Sequence, residues 1–214
     1  MNSRQRKMKR VFDICLSAIG LVVLSPLIII CVLIAAVDTK TLGVFRQLRV
    51  GQYGVPFHVY KIRTMFVNSN PNATTVTTAH DSRISPTGRI LRRFKLDELP
   101  QLWNVLIGQM SFVGPRPDVP GYADNLVGRE RNVLKLRPGI TGPATIKYSN
   151  EEEILGVQPD PVEYNDTVLF PDKVKLNIDY YQNYSLWDDM SYILMTLSLL
   201  KVPQHLKSLE VTEQ

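Results

Sequence analysis

Residues 96 to 106 read Leu96-Asp97-Glu98-Leu99-Pro100-Gln101-Leu102-Trp103-Asn104-Val105-Leu106, two adjacent carboxylates opening an apolar run. Pro100 is tolerated only in the first turn of a helix and Asp97 suits an N-cap, so the spacing predicts a helix that starts at the acidic pair. Unpaired N–H groups and the dipole at that end favour ionised carboxylates. An ionised carboxylate is the better nucleophile and metal ligand. The plain structural alternative is that Asp97 only caps the helix and Glu98 is a solvated first-turn acid.

Outward from this pair the charges change sign. Arg89, Arg92, Arg93 and Lys95 precede it, and Gly114-Pro115-Arg116-Pro117 follows. Cations around an acidic pair suit a bound phosphate better than a cap needs. Prolines on both sides leave Arg116 little freedom, and a guanidinium held this way offers two parallel bonds to phosphate oxygens.

The same asymmetry runs through the whole chain. Residues 1–96 hold 15 Lys/Arg against 3 Asp/Glu, whereas residues 97–214 hold 10 against 17. The basic half is therefore where anions are met: lipid head groups, a nucleotide diphosphate or nucleic acid. With 214 residues and 44% hydrophobic residues the chain can build one cored domain and an appendage. Its two cysteines, Cys15 and Cys31, lie in an apolar run and imply neither a disulfide framework nor a zinc site.

That run is the appendage. After Arg4, Arg6, Lys7, Lys9 and Arg10, residues 14–37 carry no ionisable charge other than the cysteine thiols and are long enough to enter or cross a bilayer. The run is too long for a cleaved secretory signal. Ser25-Pro26 interrupts its middle, where proline frees backbone groups that lipid cannot satisfy, and the Ser25 hydroxyl is placed to satisfy some of them. A kink follows. Cations also follow the run, at Lys40, Arg46, Arg49, Lys61 and Arg63, so the positive-inside preference gives no direction for crossing. A helix-break-helix over residues 1–40 that returns to the face it entered satisfies both flanks, and residues 41–214 form the domain it anchors.

Val44 to Val50 alternates as a strand, Gly51-Gln52-Tyr53-Gly54 as a turn, and Pro56 to Arg63 as its hairpin partner. The hairpin is expected to gather Arg46, Arg49, Lys61 and Arg63 for phosphate contact. Asn68 to Ser85 has no periodicity and reads as a loop. Asp118 to Leu136 reads as a helix carrying Arg129, Arg131 and Lys135 on a solvated face. Arg137-Pro138-Gly139-Ile140-Thr141-Gly142 reads as a turn whose backbone approaches a ligand, with Gly139 and Thr141 as contacts. Glu151-Glu152-Glu153 reads most simply as a solvated helix start, the other reading being a divalent-ion site, against which stands that three consecutive helical residues do not share a face. Tyr180 to Trp187 and the amphipathic segment Asp188 to Leu200 lie either on the membrane interface or on the core.

Leu96 to Leu106 followed by Gly108-Gln109-Met110-Ser111-Phe112-Val113-Gly114-Pro115-Arg116-Pro117 resembles the central signature of the bacterial sugar transferases known as monotopic phosphoglycosyl transferases. The resemblance extends to residues 45–51, 60–65 and 137–142, in the family's order. It implies an α+β fold with one small catalytic domain, a β-hairpin and several helices, and a re-entrant membrane helix broken at Ser25-Pro26, held at the cytoplasmic face of the inner membrane. The activity implied is transfer of a sugar-1-phosphate from a UDP-sugar to polyprenol (undecaprenyl) phosphate, a first membrane step in building glycans such as capsule or exopolysaccharide. Asp97 would be the nucleophile, Asp97 and Glu98 the ligands of Mg2+, and Arg46, Arg49, Lys61, Arg63, Arg92, Arg116, Gly139 and Thr141 the substrate contacts. The partners implied are the donor, the lipid acceptor and the bilayer, with no nucleic acid; the oligomeric state, a homo-oligomer included, stays open. Gln109 stands where the family commonly has aspartate, and Pro143-Ala144-Thr145 where it commonly has an Ala-Gln pair, so the identity of the donor sugar is open. Two rival readings remain, a tethered anion-binding module and an inactive scaffold of the same fold.

Overall fold

A computed structural model describes residues 1–67, 81–198, 200–203 and 206. The greater part of the expected loop at Asn68 to Ser85, residues 68–80, lies outside them. The architecture is α+β, with two small two-stranded sheets among helices.

Helix α1 (Ser3–Thr39) starts with a capping box, in which Asn2 Oδ1 accepts from Gln5 N at 2.9 Å and Gln5 Oε1 accepts from Asn2 N at 2.7 Å. It ends at Lys40, in the left-handed region at φ 53°. The helical hydrogen bonding runs on through Ser25-Pro26. The reason is local: Pro26 cannot donate to the Val22 carbonyl four residues back, and the Ser25 hydroxyl donates to that carbonyl at 3.0 Å instead.

Both ends of α1 dock on the domain. At the N-terminal end Lys9 Nζ pairs with Asp189 at 2.6 Å, and Arg10 donates to the carbonyls of Val105 and Leu106. Asp13 Oδ1 accepts from Ser111 Oγ and Phe112 N, both at 3.1 Å. At the other end Cys31 and Ala35 are buried with Ile62 and Leu91, and Asp38 accepts from Thr87. Gly43 crosses so close to this end that a Cβ there would lie 2.0 Å from the Val32 carbonyl oxygen. Between the two docked ends the helix is bare: Val22 is 77% exposed and Val23 67%, and only 11% of the most apolar stretch is buried. A core helix of a soluble domain would be covered.

The hairpin forms as read. Strand β1 (Val44–Val50) pairs antiparallel with β2 (Pro56–Ile62), with Phe45 opposite Lys61 and Arg46 opposite Tyr60. Helix α2 (Pro86–Arg93), capped by Ser85 Oγ, and α3 (Gln101–Leu106) flank the acidic pair. Asn104 on α3 is fully buried and ties the hairpin to the next loop: it accepts from Tyr60 N at 3.1 Å and donates to His58 O at 2.7 Å and to Gln109 Oε1 at 2.8 Å.

Strand β3 (Ser111–Val113) pairs in parallel with β4 (Gly139–Thr141), so the expected turn at residues 137–142 is in part a strand. Gly139 packs on backbone: a Cβ there would sit 2.2 Å from Gly114 N. The expected helix over Asp118 to Leu136 is instead two short 3-10 turns, Ala123–Asn125 and Glu130–Lys135. Pro120 and the positive φ of Gly121 and Gly128 prevent a continuous helix. Arg131 there donates to the carbonyls of Asp124 and Leu126.

The C-terminal part is helical: α4 (Pro143–Lys147), α5 (Glu151–Gly156), α6 (Pro161–Tyr164), α7 (Phe170–Gln182) and α8 (Leu186–Thr196). Tyr180 and Tyr184 are buried against Val113 and Leu136, whereas Trp187 is 76% exposed. The start of the 180–200 segment is therefore packed on the core.

Candidate active site

The acidic pair lies in a 3-10 turn, Leu96–Glu98, entered through Lys95 in the left-handed region at φ 54°. Pro100, and not Asp97, precedes α3. Asp97 is therefore not an N-cap, because α2 ends only at Phe94 and the few residues left before Pro100 close a tighter turn. The electrostatics change with it. Burial, then Glu98 beside it, raises the Asp97 carboxyl above the ordinary aspartate range, contrary to the expected helix-end stabilisation. Burial also works against ionisation of Glu98, but Arg116 and Lys61 outweigh it and hold Glu98 well below the usual carboxylate range. Glu98 Oε1 accepts from Arg116 at 2.6 Å and from Lys61 at 3.3 Å. Asp97 makes no hydrogen bond or ion pair among the described residues, although only 8% of it is exposed.

Both carboxylates line a cleft of about 1130 Å³, large enough for a nucleotide diphosphate sugar. Of the residues expected there, Arg49, Lys61, Arg63, Arg92 and Arg116 also line it. Arg49 donates to Pro117 O at 3.1 Å and to Gln47 Oε1 at 2.6 Å, and Arg63 stands over the Phe45 ring. Burial, then Arg116, lowers the Arg49 pKa; burial, only partly offset by Glu98, lowers that of Lys61. Neither Arg49 nor Arg63 has an acidic ion-pair partner among the described residues.

Three expected contacts are elsewhere. Arg46 is exposed and does not line the cleft, because successive strand residues face opposite ways and it is paired with Tyr60 and not with Lys61. Gly139 and Thr141 hold β4 in place and do not line this cleft: Gly139 N donates to Pro115 O at 2.7 Å, and Thr141 Oγ1 shares a hydrogen bond with Thr196 Oγ1. Gly139 thereby supports the segment that carries Arg116.

The opposite wall went unread in the sequence. Glu151 pairs with Lys173 at 2.6 Å, and Glu152 pairs with Arg92, so two acids expected to be solvated tie α5 to α7 and to α2. Asp118, Thr145 and Asn177 also line the cleft. Burial pushes the Asp118 carboxyl up to about 6, with Lys173 and Arg49 opposing. The only local signal was Asp118 following the rigid Pro115-Arg116-Pro117 segment; Lys173 and Asn177 are one helical turn apart but far from the acidic pair in sequence.

For a divalent cation, the residues fit a Mg2+ site of the kind completed by substrate. Two adjacent desolvated carboxylates, one of them without a hydrogen bond or ion pair among the described residues, gain from a cation, and Mg2+ is commonly held by one or two carboxylates plus substrate phosphates. No group of three acidic, His or Cys residues suited to hold a metal by itself occurs among the described residues.

Comparison with known proteins agrees with this layout. The chain is 34% identical over 203 residues to a UDP-glucose:undecaprenyl-phosphate glucose-1-phosphate transferase of Klebsiella pneumoniae, covering 92% of this chain and 41% of that one. It is 34% identical over 195 residues to a protein of the same name from Caulobacter vibrioides, covering 90% and 69%. It is 32% identical over 197 residues to a UDP-N-acetylgalactosamine-undecaprenyl-phosphate N-acetylgalactosaminephosphotransferase of Aeromonas hydrophila, covering 88% and 42%. The chain thus spans about two fifths of the length of two of these relatives. The profile of the family described as bacterial sugar transferase matches residues 4–202, and the chain belongs to that family.

Proposed function

We propose that the chain transfers a sugar-1-phosphate from a UDP-sugar to a polyprenyl phosphate, working from the cytoplasmic face of the inner membrane. The observation that carries this reading is the Asp97 carboxylate, buried yet without a protein partner, at a cleft ringed by Arg49, Lys61, Arg92 and Arg116. Asp97 attacks the β-phosphorus of the donor; an O–P bond forms, the bond from that phosphorus to the bridging oxygen breaks, and UMP leaves. An oxygen of the polyprenyl phosphate then attacks the same phosphorus, the acyl phosphate bond breaks, and Asp97 is restored as the polyprenyl diphosphate sugar forms.

Arg116 and Lys61 keep Glu98 ionised and meet the phosphate oxygens on their other side, while Arg49 and Arg63 bring unpaired charge. Asp97 and Glu98 would hold Mg2+, which would supply further neutralisation of charge on the transferred group. Two docked ends and a bare apolar middle support a re-entrant α1. A spanning helix would separate residues near Lys9 from those near Asp38 by a hydrocarbon layer of about 30 Å, yet both touch one domain.

The test is turnover. Purified protein with undecaprenyl phosphate and a panel of UDP-sugars is expected to release UMP with at least one donor, dependent on added Mg2+. Absence of UMP with every donor contradicts the proposal.

A further inference from the structure

Six buried side-chain N or O atoms among the described residues have no hydrogen-bond partner, and three of them are on residues that line the cleft. They are Thr145 Oγ1 on α4, Asn150 Oδ1 just before α5, and Asn177 Oδ1 on α7. Asn177 is only 6% exposed. The Glu151–Lys173 pair ties the start of α5 to α7 one turn before Asn177, and α4 packs on α7, so the three come from one wall. Leaving a buried polar group unpaired costs about 1–3 kcal/mol, so three on one wall ask for a ligand.

Their chemistry limits what that ligand is. The amide oxygens only accept hydrogen bonds, and phosphate or carboxylate oxygens, which also accept, cannot satisfy them. The two amide oxygens need O–H or N–H donors, and the Thr145 hydroxyl can either donate or accept. Phosphates are already provided for on the other side, by Arg49, Lys61, Arg92 and Arg116. The cleft is thereby split between a cationic side and a side where Lys173 is paired with Glu151 and the three unpartnered atoms are uncharged.

We propose that Thr145, Asn150 and Asn177 form a neutral subsite that reads the O–H and N–H groups of the donor, the part of a nucleotide sugar that is not phosphate. Those donors come either from the transferred sugar or from the nucleoside. The proposal rests on the transferase reading, and deepens it by naming the residues that select the donor.

The test uses the full chain in nanodiscs with Thr145→Val, Thr145→Ser and Asn177→Leu. Kinetics are run with UDP-glucose, UDP-galactose and their N-acetyl counterparts, and binding of UDP and of each UDP-sugar is measured by calorimetry. Thr145→Val and Asn177→Leu are expected to lower kcat/KM on the best donor at least tenfold, and Thr145→Ser to restore it. The thermal midpoint is expected to hold or rise, because the apolar replacement removes an unpaired buried polar group that costs stability; a purely structural role would lower it. If the sugar is read, UDP affinity holds and discrimination among donors falls. If the nucleoside is read, UDP affinity drops by the same factor as UDP-sugar affinity. Active wild type whose variants stay within twofold in every kinetic and binding measure overturns the subsite alone. Wild type that turns over no donor overturns the transferase reading, and the calorimetric comparison still decides the subsite.

Discussion

Asn104→Leu removes the joint that sets the acidic pair against the hairpin. Asn104 is fully buried and makes three side-chain hydrogen bonds, to Tyr60 N, His58 O and Gln109 Oε1, at 3.1, 2.7 and 2.8 Å. At about 1 kcal/mol net for each bond the loss is about 3 kcal/mol, since leucine has a similar branched shape, is somewhat larger, and leaves the three partners unpaired. For a chain of this size about 1 kcal/mol moves the melting temperature by about 2–4 °C, which gives a fall of about 6–12 °C. Because Tyr60 adjoins Lys61, whose amine reaches Glu98, UMP release is expected to fall as well. Asn104→Asp keeps the acceptor for Tyr60 N but sets a carboxylate against two acceptors, so its fall is expected to be at least as large. The assay is a thermal melt of detergent-solubilised protein beside the exposed control Arg46→Gln, expected to match wild type. A fall under 2 °C for Asn104→Leu would refute the idea that these bonds couple α3 to β2.

Arg116→Lys is expected to lower kcat/KM at least tenfold while Arg46→Lys leaves it unchanged, since lysine keeps the charge but not the planar fork, and Arg46 faces away from the cleft; equal effects in the kinetic assay would contradict this. For topology, single cysteines at Lys7 and Thr41, in a chain with Cys15 and Cys31 replaced, are expected to show the same protection from an impermeant reagent in intact cells; opposite protection means a spanning helix. The acid side of the pH profile follows from Asp97. Its pKa is raised, so the ionised nucleophile is lost as pH falls through a value above the ordinary 3.8, and log kcat/KM is expected to turn down there. Asp118→Asn should leave that limb in place; its disappearance would assign the limb to Asp118, which is pushed up to about 6 in the same cleft.

What could be read in the sequence was what local rules fix. The hairpin followed from period-two alternation around a glycine turn, and the long apolar helix from its composition, with Ser25 relieving Pro26 as expected. Arg46 was misplaced because proximity in sequence was taken as proximity in space, although strict alternation separates it from Lys61. The acidic pair was located but its turn was not, because Pro100 fixes where α3 starts without fixing what precedes it. Asp118 to Leu136 was misread although Pro120, Gly121 and Gly128 were there to break it. The wall formed by Thr145, Asn150 and Asn177 joins three separate elements, and no periodicity within one element reports which others pack against it.

The account depends most on the bond formed at Asp97. Protein mixed with its UDP-sugar and Mg2+, without lipid acceptor, is predicted to release UMP up to one equivalent of enzyme and to carry a phosphosugar on the peptide containing Asp97 by mass spectrometry. Asp97→Asn is predicted to lose both while folding as well as wild type, since burial raises this carboxyl and its ionised form therefore costs stability near neutral pH. Glu98→Gln is predicted to slow the reaction without moving the adduct. No UMP until acceptor is added, with Asp97 unmodified, would contradict the account and leave direct attack by the polyprenyl phosphate in its place.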